Sequence, residues 1–531
     1  MRAPPTPWPP RDAAHLLVTS GQMAALEAEL FAHGLPVEAL MEKAALALSR
    51  CLLATPETLA QGTTVLVGPG HNGGDGLVVA RELHLAGQAV RIWTPFERHK
   101  PLTARHLEHA RWLGIDTTTV PPDPAEECLW IDGLFGVGQA RPLPEALETL
   151  LAERERRRPG RLVAIDVPSG LCADSGRPLG QALACARTTY CLGLIKQGLV
   201  QDPALAWVGE LRRIDLGLPA HLLAGLPEHQ PLALGSADRA EAPCPRLAPA
   251  EGKYQRGRLL VISGSLPYRG ASHLALLGAS ASGCGSLRAA LPEALAEGLW
   301  AVQPHVVVER SLACHGGGSL NLEPLAAPGL LERLDAVLLG PGIGAIEPQG
   351  PEAEQERASW AALGAFAGLL VLDADGLNRL AQRPQQEASN WLRGRAGPTW
   401  ITPHAGEFAR LFPDLGTHPP LEAAVAAAQR SRASVLLKGA RSVVAAAPGG
   451  CWQVLEANAA AARAGLGDVL AGYAAGRGAM AMAADGAAGG DLLAAIALDH
   501  ALAGGEAARK EGGGGATPMA VAAVLAQRAT T

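Results

Sequence analysis

The stretch TTVLVGPGHNGGDGLVVAR (Thr63–Arg81) decides the fold of the first half of the chain. Its apolar beginning is typical of a strand, and its end is typical of a helix. Between them, Gly68, Gly70 and Gly73 have the spacing G-x-G-x-x-G, which lets the backbone approach a phosphate group at a helix start. A purely structural glycine turn is the alternative, so the stretch predicts a β-α unit and leaves its ligand open.

Strand-like runs alternate with Ala-, Leu- and Glu-rich helical runs along most of the sequence, as in parallel β-α-β units. The first set of strands is predicted at 63–67, 90–93, 129–131 and 162–165, and the second at 259–262, 336–339, 369–372, 399–402 and 434–437. We therefore predict an α/β protein with domains at residues 13–218 and 246–528. Residues 219–245, which include five prolines, are predicted to be a linker with at most a short helix.

Length and charge narrow the classes of function. A chain of 531 residues is long enough for two to four domains. Its 45 Lys and Arg against 51 Asp and Glu give a net charge of −6, which argues against a broad cationic surface for nucleic acid or acidic lipid. The expected ligand is a small molecule.

The cysteines and apolar segments indicate a compartment. Nine cysteines without a C-x-x-C pair fit reduced thiols better than disulfides or zinc sites. The longest apolar stretch, residues 360–372, is shorter than the ~18 residues that span a bilayer, and the N-terminus is interrupted by prolines. We expect a cytoplasmic protein without a membrane segment.

Polar residues follow three predicted strands of the first half. Asn72 and Asp75 lie within the glycine turn, Asp132 follows LWI, and Asp166 follows LVAI with Ser169 close behind. Ligands bind at the carboxyl ends of parallel strands, although a single Asp there is equally well explained as a cap. The next strand, VRIWTP, does not end in an acidic residue, which disfavours the usual dinucleotide-binding mode.

The second half has its own set of loops after strands. They are GPGIG (340–344), DADGLN (373–378), TPHAGEFARL (402–411), LLKGARS (436–442) and AGLGDVLAG (464–472). In the last one, Asp468 lies in the first turn of a helix. Backbone N–H groups there can neutralise a transferring phosphoryl group while the carboxylate accepts a hydroxyl proton, although a capped helix is the plain alternative.

The motifs LMEKAA (40–45), GPGHNGGDG, DGLFGVG, DVPSGL and IKQGL resemble the NAD(P)H-hydrate epimerase domain, a Rossmann-like three-layer α/β/α fold, over residues 15–218. The resemblance implies a potassium ion held by Asn72, Asp132 and Ser169, and an acid/base role for Asp166. It implies substrate contacts from His71, Asn72, Gly73, Gly74, Asp75, Gly136, Val137, Gly138, Gln139, Ala140, Arg141, Pro142, Asp166 and Lys196. His71 and Lys43 stand where the family usually has Asn.

The loops of the second half resemble the ADP/ATP-dependent NAD(P)H-hydrate dehydratases, which have a ribokinase-like α/β fold. The resemblance implies Asp468 as the catalytic base and ADP with Mg²⁺ as the nucleotide. Hydrate contacts are expected from Ala271, Gly342, Gly344, Asn378, His404 and Asp468, and ADP contacts from Lys438, Gly439, Ala440, Arg441, Ser442 and Gly467. Leu466 replaces the usual Thr of Gly-Gly-Thr-Gly-Asp, which removes one hydroxyl donor.

With both halves in this order, the chain is similar to the bacterial bifunctional NAD(P)H-hydrate repair enzymes. The resemblance implies that it epimerises the R and S hydrates of NADH and NADPH, dehydrates the S form with ADP, and forms homo-oligomers. Two alternatives remain at this point. One is a ribokinase-type small-molecule kinase fused to a nucleotide-binding domain, and the other is a partly degenerate, non-catalytic scaffold.

Overall fold

The computed structural model describes residues 8–245, 252–347, 350–383, 385–513 and 515–528. They form two compact units. The first consists of residues 10–230, and the second runs from residue 231 onward and includes Trp8 and Pro9. Among the helices in these ranges, none is both long and apolar enough to cross a bilayer.

The first unit has nine strands, seven of which form one parallel sheet. Its strands are β1 (Leu17–Val18), β2 (Thr63–Val67), β3 (Val90–Trp93), β4 (Asp116–Thr118), β5 (Leu129–Gly133), β6 (Leu162–Ile165), β7 (Thr188–Leu192), β8 (Ile195–Lys196) and β9 (Glu210–Ile214). Its helices are α1 (Ser20–Ala32), α2 (Val37–Leu53), α3 (Pro56–Leu59), α4 (His71–Leu85), α5 (Pro101–Trp112), α6 (Glu145–Arg157), α7 (Leu205–Val208) and α8 (Ala220–Ala224). The sheet order is β4-β3-β2-β5-β6-β7-β9, and β1 pairs separately with β8.

Helices cover both faces of this sheet, as the predicted three-layer fold requires. Leu66 and Trp130 form a core with Leu147 of α6 on one face. On the other face, a Cβ added to Gly76 of α4 would lie 3.2 Å from Val65 Cγ1. Because successive residues of a strand point to opposite faces, Val65 and Leu66 pack against helices on opposite sides of the sheet.

The second unit has a ten-stranded mixed sheet. Its strands are β10 (Leu232–Leu234), β11 (Arg258–Ile262), β12 (Ser286–Pro292), β13 (Val307–Leu312), β14 (Ala336–Leu339), β15 (Leu369–Leu372), β16 (Thr399–Ile401), β17 (Ser434–Leu437), β18 (Val443–Ala445) and β19 (Cys451–Val454). Its helices are α9 (Arg269–Ala281), α10 (Glu293–Ala296), α11 (Leu299–Val302), α12 (Pro351–Gln355), α13 (Arg357–Ala365), α14 (Ala374–Ala381), α15 (Gln385–Arg393), α16 (Ala405–Leu411), α17 (Pro420–Ser431), α18 (Leu466–Asp485), α19 (Gly490–Lys510) and α20 (Pro518–Arg528). The order is β10-β19-β18-β17-β16-β15-β14-β11-β12-β13, and only the pairs that include β18 with β17 or β19 are antiparallel.

Glycines bring two helices of the second unit into backbone contact. A Cβ added to Gly278 of α9 would lie 2.0 Å from the Val469 carbonyl oxygen, and one added to Gly472 of α18 would lie 1.9 Å from the Ala275 carbonyl oxygen. α18 also contacts β11, β14 and β15. The close approach of α9 and α18 therefore fixes where the residues at the start of α18 lie above the sheet.

The segment predicted as a linker, residues 219–245, is divided between the two units. It contains the short α8, which fits the prediction, but also β10, which does not. β10 pairs in parallel with β19 and thus belongs to the second sheet. Its three residues are too few to give a periodic signal among the surrounding prolines, which is why the sequence predicted no strand there.

Substituting Gly472 by Ala tests this helix contact. The new methyl group would collide with the Ala275 carbonyl, so we expect a loss of about 1–3 kcal/mol in the free energy of unfolding, measured by denaturant titration. Gly505→Ala on α19 is the matched control, since its Cβ would have no contact shorter than 3.6 Å. That variant should be neutral or more stable by up to about 1 kcal/mol. Equal stability of both variants would contradict this account of the packing.

Candidate active sites

In the first unit, the adjacent strands β2, β5 and β6 lead into the polar residues predicted from the sequence. Asp132 lies in β5 and has no exposed surface. Its carboxylate accepts hydrogen bonds from Ser169 Oγ at 2.7 Å, from the Ser169 N–H at 2.8 Å and from the Leu134 N–H at 3.1 Å. Burial raises the pKa of Asp132 to about 6, and these hydrogen bonds oppose that shift.

Asn72 lies next to this pair. A Cβ added to Gly136 would be 3.2 Å from Asn72 Oδ1, and Ser169 Oγ accepts a hydrogen bond from the neighbouring Phe135 N–H at 2.9 Å. Asn72 Nδ2 is fully buried and has no partner among the described residues. The structure therefore brings Asn72 of α4, Asp132 of β5 and Ser169 together around the short loop at residues 134–136. There they offer amide, carboxylate and hydroxyl oxygens, the ligands that hard cations prefer.

Asp166 and Lys196 form a buried ion pair. Asp166 follows β6 with φ = +66°, a conformation uncommon for a residue other than glycine. Its Oδ1 accepts hydrogen bonds from Lys196 Nζ at 2.5 Å and from the Leu192 N–H at 3.2 Å. Burial alone lowers the pKa of Lys196, but the nearby Asp166 and Cys191 raise it to a net value above normal, so the lysine is charged.

The glycines of the turn before α4 are required by packing. A Cβ on Gly68 would lie 1.6 Å from the Leu134 carbonyl oxygen, and one on Gly73 would lie 2.0 Å from the Gly68 carbonyl oxygen. A Cβ on Gly70, in contrast, would meet nothing within 4 Å. Gly68 thus allows the turn to lie against the backbone at Leu134, and Gly73 allows the turn to close on Gly68. The space beside Gly70 is open.

The other predicted substrate contacts of this unit lie around the same loops. His71 opens α4 and is exposed, while Gly74 is buried against Met41. Gln139 connects two loops, because its Oε1 accepts a hydrogen bond from the Gly170 N–H at 2.8 Å. The rest of the segment is at or near the surface, namely Gly136, Val137, Gly138, Ala140, Arg141 and Pro142.

In the second unit, the GPGIG loop after β14 contacts its neighbours without room for side chains. A Cβ on Gly340 would lie 1.8 Å from the Asp373 carbonyl oxygen, and one on Gly342 would lie 2.6 Å from Ala271 Cβ. Gly342 and Gly344 have φ angles of +64° and +80°. The Gly344 N–H donates to Asp375 Oδ2 at 2.8 Å. Of the predicted contacts, Gly342 therefore lies against Ala271, and Gly344 follows it in the same loop.

A buried network of charges joins three loops of the second unit. Asp373, which is 1% exposed, accepts hydrogen bonds from Lys438 Nζ at 2.6 Å and from Thr402 Oγ1 at 2.8 Å. Lys438 Nζ is also 4.0 Å from Glu407 Oε2. A Cβ on Gly467 would be 3.4 Å from the same Nζ, so Gly467 at the start of α18 lies beside Lys438.

Asp468 lies in this electrostatic environment. Burial and the charge of Asp373 raise the pKa of Asp468 to about 7, and the positive charge of Lys438 opposes the rise. A carboxylate with a pKa near neutrality can both accept and release a proton at physiological pH. The arrangement thus fits the base role that the sequence predicted.

His404 and Asn378 lie on neighbouring helix starts. His404 caps α16: its Nδ1 accepts hydrogen bonds from the Gly406 N–H at 3.0 Å and the Glu407 N–H at 3.4 Å. Nε2 therefore carries the proton and lies 3.3 Å from Glu407 Oε1. Asn378 accepts a hydrogen bond from Arg410 Nε at 3.0 Å and donates one to Asp375 at 3.1 Å.

The predicted ADP segment, Lys438 to Ser442, connects β17 and β18. Lys438 points to Asp373, as described above, whereas Arg441 Nε donates to the Leu455 carbonyl oxygen at 2.9 Å. Gly439 and Ala440 are exposed. Lys438 thus belongs to the charge network, and Gly439 and Ala440 lie at its exposed rim.

Sequence reasoning did not select Asp373, although Asp373 follows a predicted strand exactly as Asp132 and Asp166 do. The same signal could have found it. Thr402 and Glu407 lie in the TPHAGEFARL motif, but the motif alone indicates no role for them, because Asp373 and Lys438, which they meet, come from other loops. Such pairings depend on strand order, which the sequence did not give.

His500 on α19 was also not predicted. Its ring donates a hydrogen bond to the Leu466 backbone, and Nε2 is buried without a partner among the described residues, so Nδ1 is the donor. Burial lowers the pKa of His500 to about 4, so the ring is neutral. Because the Leu466 carbonyl and the Gly467 N–H belong to one planar peptide unit, this hydrogen bond also fixes the direction of the Gly467 N–H.

Comparison with known families assigns both units. Residues 37–198 match the family described as YjeF-related protein N-terminus, and residues 259–526 match the family described as NAD(P)H-hydrate dehydratase. The two matches fall on the two units of the structure.

Curated relatives match most of the chain. A bifunctional NAD(P)H-hydrate repair enzyme of Gloeobacter violaceus is 44% identical over 86% of this chain and 87% of its own length. One of Synechocystis sp. is 41% identical over 86% of this chain and 84% of its own length. A crystal structure of the ADP/ATP-dependent NAD(P)H-hydrate dehydratase of Bacillus subtilis is 26% identical and covers 55% of this chain and 95% of that chain, with a TM-score of 0.44.

Variants of His500 test its effect on the start of α18. We expect His500→Leu, which removes the donor to Leu466, to raise the KM for the nucleotide about tenfold with a smaller change in kcat, a loss of about 1.4 kcal/mol in binding. His500→Asn is the matched control, because its side-chain N–H₂ can occupy the place of Nδ1 and should restore most of the affinity. Equal KM values for both variants would show that this hydrogen bond does not act on the nucleotide site.

Proposed function

The chain belongs to the family of bifunctional NAD(P)H-hydrate repair enzymes, and we propose that each unit carries one of its two activities at the carboxyl edge of its sheet. The enzyme epimerises the R and S hydrates of NADH and NADPH and dehydrates the S form back to the reduced dinucleotide. The observation that supports this division is an ion pair between a lysine and a buried aspartate at the edge of each sheet. A further carboxyl group without a hydrogen-bond partner among the described residues lies nearby in each unit, Asp75 in the first and Asp468 in the second.

In the second unit, Asp468 accepts the proton of the C6 hydroxyl while that oxygen takes a phosphoryl group from the nucleotide. The C6–O bond then breaks, phosphate leaves, and loss of a proton from C5 restores the ring double bond. The Gly467 N–H, oriented through His500, and the Lys438 ammonium lie where they can stabilise the negative charge of the transferring group.

The nucleotide is ADP, which leaves as AMP, with Lys438, Gly439, Ala440, Arg441, Ser442 and Gly467 as its contacts. Mg²⁺ accompanies it and is held mainly by the phosphate oxygens, as is usual for this ion. The hydrate contacts Ala271, Gly342, Gly344, Asn378, His404 and Asp468. The placement of these residues on adjoining loops supports both assignments.

In the first unit, Asn72, Asp132 and Ser169 hold a potassium ion, which supplies a fixed positive charge near the dinucleotide. The oxygen atoms that these side chains bring together, namely Asn72 Oδ1, the Asp132 carboxylate and Ser169 Oγ, fit such a cation. Asp166 and Lys196 contact the hydrated ring. The loops at residues 71–75 and 136–142 bind the remainder of the substrate.

Two further properties are part of the proposal. Reduced, unpaired thiols support the cytoplasm as the compartment, because all nine cysteines are free in the structure. We also propose that the chain forms homo-oligomers, which sedimentation of the purified protein would measure.

The activity is tested by recovery of NADH from mixed R and S hydrates. In potassium buffer with ADP, we expect the parent enzyme to recover both forms, Asp166→Asn to recover promptly only the S form, and Asp468→Asn to recover neither. The reason is that each substitution removes one proton-transfer group from a different unit. NADH absorbance follows recovery, and chromatography follows the two hydrates.

Each other outcome has a defined meaning. Prompt recovery of NADH from both hydrates by Asp166→Asn would show that epimerisation does not require the Asp166 carboxylate. Faster recovery of NADH with ATP than with ADP would show that ATP, and not ADP, is the nucleotide substrate. A persistent phosphorylated product with no NADH would contradict the dehydratase assignment.

The pH dependence of dehydration tests the role of Asp468. A base must be ionised to accept a proton, so kcat/KM should rise with pH through about 7. Lys438→Met removes a charge that holds the pKa of Asp468 down, and should move this rise to higher pH. Lys438→Arg keeps the charge and should leave the midpoint in place. The idea fails if both variants have the parent's midpoint.

A further inference from the structure

Asp75 differs from the other acidic residues of the first unit because it is buried without a partner. It lies in the second turn of α4 and is only 8% exposed. No hydrogen bond or ion pair to its carboxylate is found among the described residues. A buried carboxylate without a partner is costly when ionised, so this position favours the neutral acid.

The surroundings of Asp75 favour the neutral acid further. Burial and the negative charges of Asp166 and Glu27 together raise the pKa of Asp75 well above its usual range. Glu27 lies on α1, one turn after Met23, whose Cε would be 2.5 Å from a Cβ on Gly193. α1 thus packs beside the β7–β8 turn, next to Lys196.

Asp75 and Asp166 belong to elements in direct contact. A Cβ added to Gly76 would lie 3.8 Å from Ile165 Cδ1, so the residue after Asp75 faces the residue before Asp166. α4 therefore contacts the end of β6, and Asp75 lies close enough to Asp166 for the two carboxyl groups to interact electrostatically.

Asp166 has the opposite character. Both of its hydrogen bonds, from Lys196 and from Leu192, reach Oδ1. The Lys196 ammonium group lies against Oδ1, and Oδ2 has no hydrogen bond among the described residues. Asp166 therefore offers one free oxygen that can accept a proton. Two carboxyl groups with environments this different are suited to be an acid and a base for the same reaction.

We propose that Asp75 is the proton donor of the epimerisation and that Asp166 is its proton acceptor. This inference rests on the proposed epimerase function of the first unit and adds a second catalytic residue to it. The sequence assigned Asp75 only a substrate contact.

The proton transfers balance without an added reagent. Oδ2 of Asp166 accepts the proton of the C6 hydroxyl, the C6–N1 bond breaks, and its electron pair moves to N1, which takes the proton of Asp75. The ring is now open, with an aldehyde at C6 and an N–H conjugated to the carboxamide. Rotation about the C5–C6 bond presents the other face of the aldehyde to N1.

Ring closure reverses these steps. N1 attacks C6, its proton returns to Asp75, and the new C6 oxygen takes the proton from Asp166. Both residues regain their starting states, and C6 has the opposite configuration. No electron is gained or lost overall, and no water is consumed.

The test uses the full chain without nucleotide, so that only epimerisation of the purified R hydrate is measured. We expect Asp75→Asn to lower kcat at least a hundredfold with the KM for the hydrate changed less than threefold, because an amide has the shape of the neutral acid but transfers no proton. For the same reason Asp75→Asn should unfold at the same temperature as the parent. Asp75→Glu keeps an acid and should recover part of kcat.

Two controls separate the possible failures. Asp116→Asn, at an exposed position of β4, should epimerise like the parent. Dehydration of the S hydrate with ADP should be unchanged in Asp75→Asn, because it takes place in the second unit. A parent enzyme that does not epimerise would refute the proposed function. A parent that epimerises beside an equally active Asp75→Asn, or an Asp75→Asn that changes only KM, would refute this inference alone.

Discussion

An ion pair between a lysine and a buried aspartate at the carboxyl edge of the sheet is the interaction on which each unit depends. Lys196 meets Asp166 in the first unit, and Lys438 meets Asp373 in the second. Removing two charges from water costs several kcal/mol per ion, which is recovered only when the geometry is good and other hydrogen bonds are present. Both pairs meet that condition through Leu192 and Thr402. These pairs hold the ends of their strands and loops together.

Burial and the charges of these pairs together shift the pKa of a third carboxyl group in each unit. Burial raises the pKa of Asp75, and the negative charges of Asp166 and Glu27 raise it further. Asp468 is near Asp373, but Lys438 opposes its effect. The first environment therefore favours a carboxylic acid and the second favours a group that is partly ionised at neutral pH. A lysine–aspartate pair beside a further carboxyl group thus suits a proton donor, Asp75, in the first unit and a base, Asp468, in the second.

The sequence predicted the central strands well and the margins of the sheets poorly. Runs such as TTVLV and LLVL are buried on both faces, so they give a continuous apolar signal. β13, with the sequence VVERSL, and β10, with three residues, are edge strands, and neither gives such a signal. The meeting of Asn72, Asp132 and Ser169 was predictable because parallel strands end at one edge. The pairing of Asp373 with Lys438 was not, because it depends on β15, β16 and β17 being neighbours.

The glycines and Leu466 show why sequence motifs alone give an incomplete account of these loops. Gly68, Gly73 and Gly340 are needed where one backbone lies against another, so their presence does not by itself indicate a phosphate. Conversely, Leu466 removes a side-chain hydroxyl but leaves every backbone N–H of the helix start in place. One of them, the Gly467 N–H, belongs to the same planar peptide unit as the Leu466 carbonyl, to which His500 donates a hydrogen bond. A loop whose donors belong to the backbone can therefore lose a side-chain donor and keep its geometry, provided that the residue holding the peptide plane is retained.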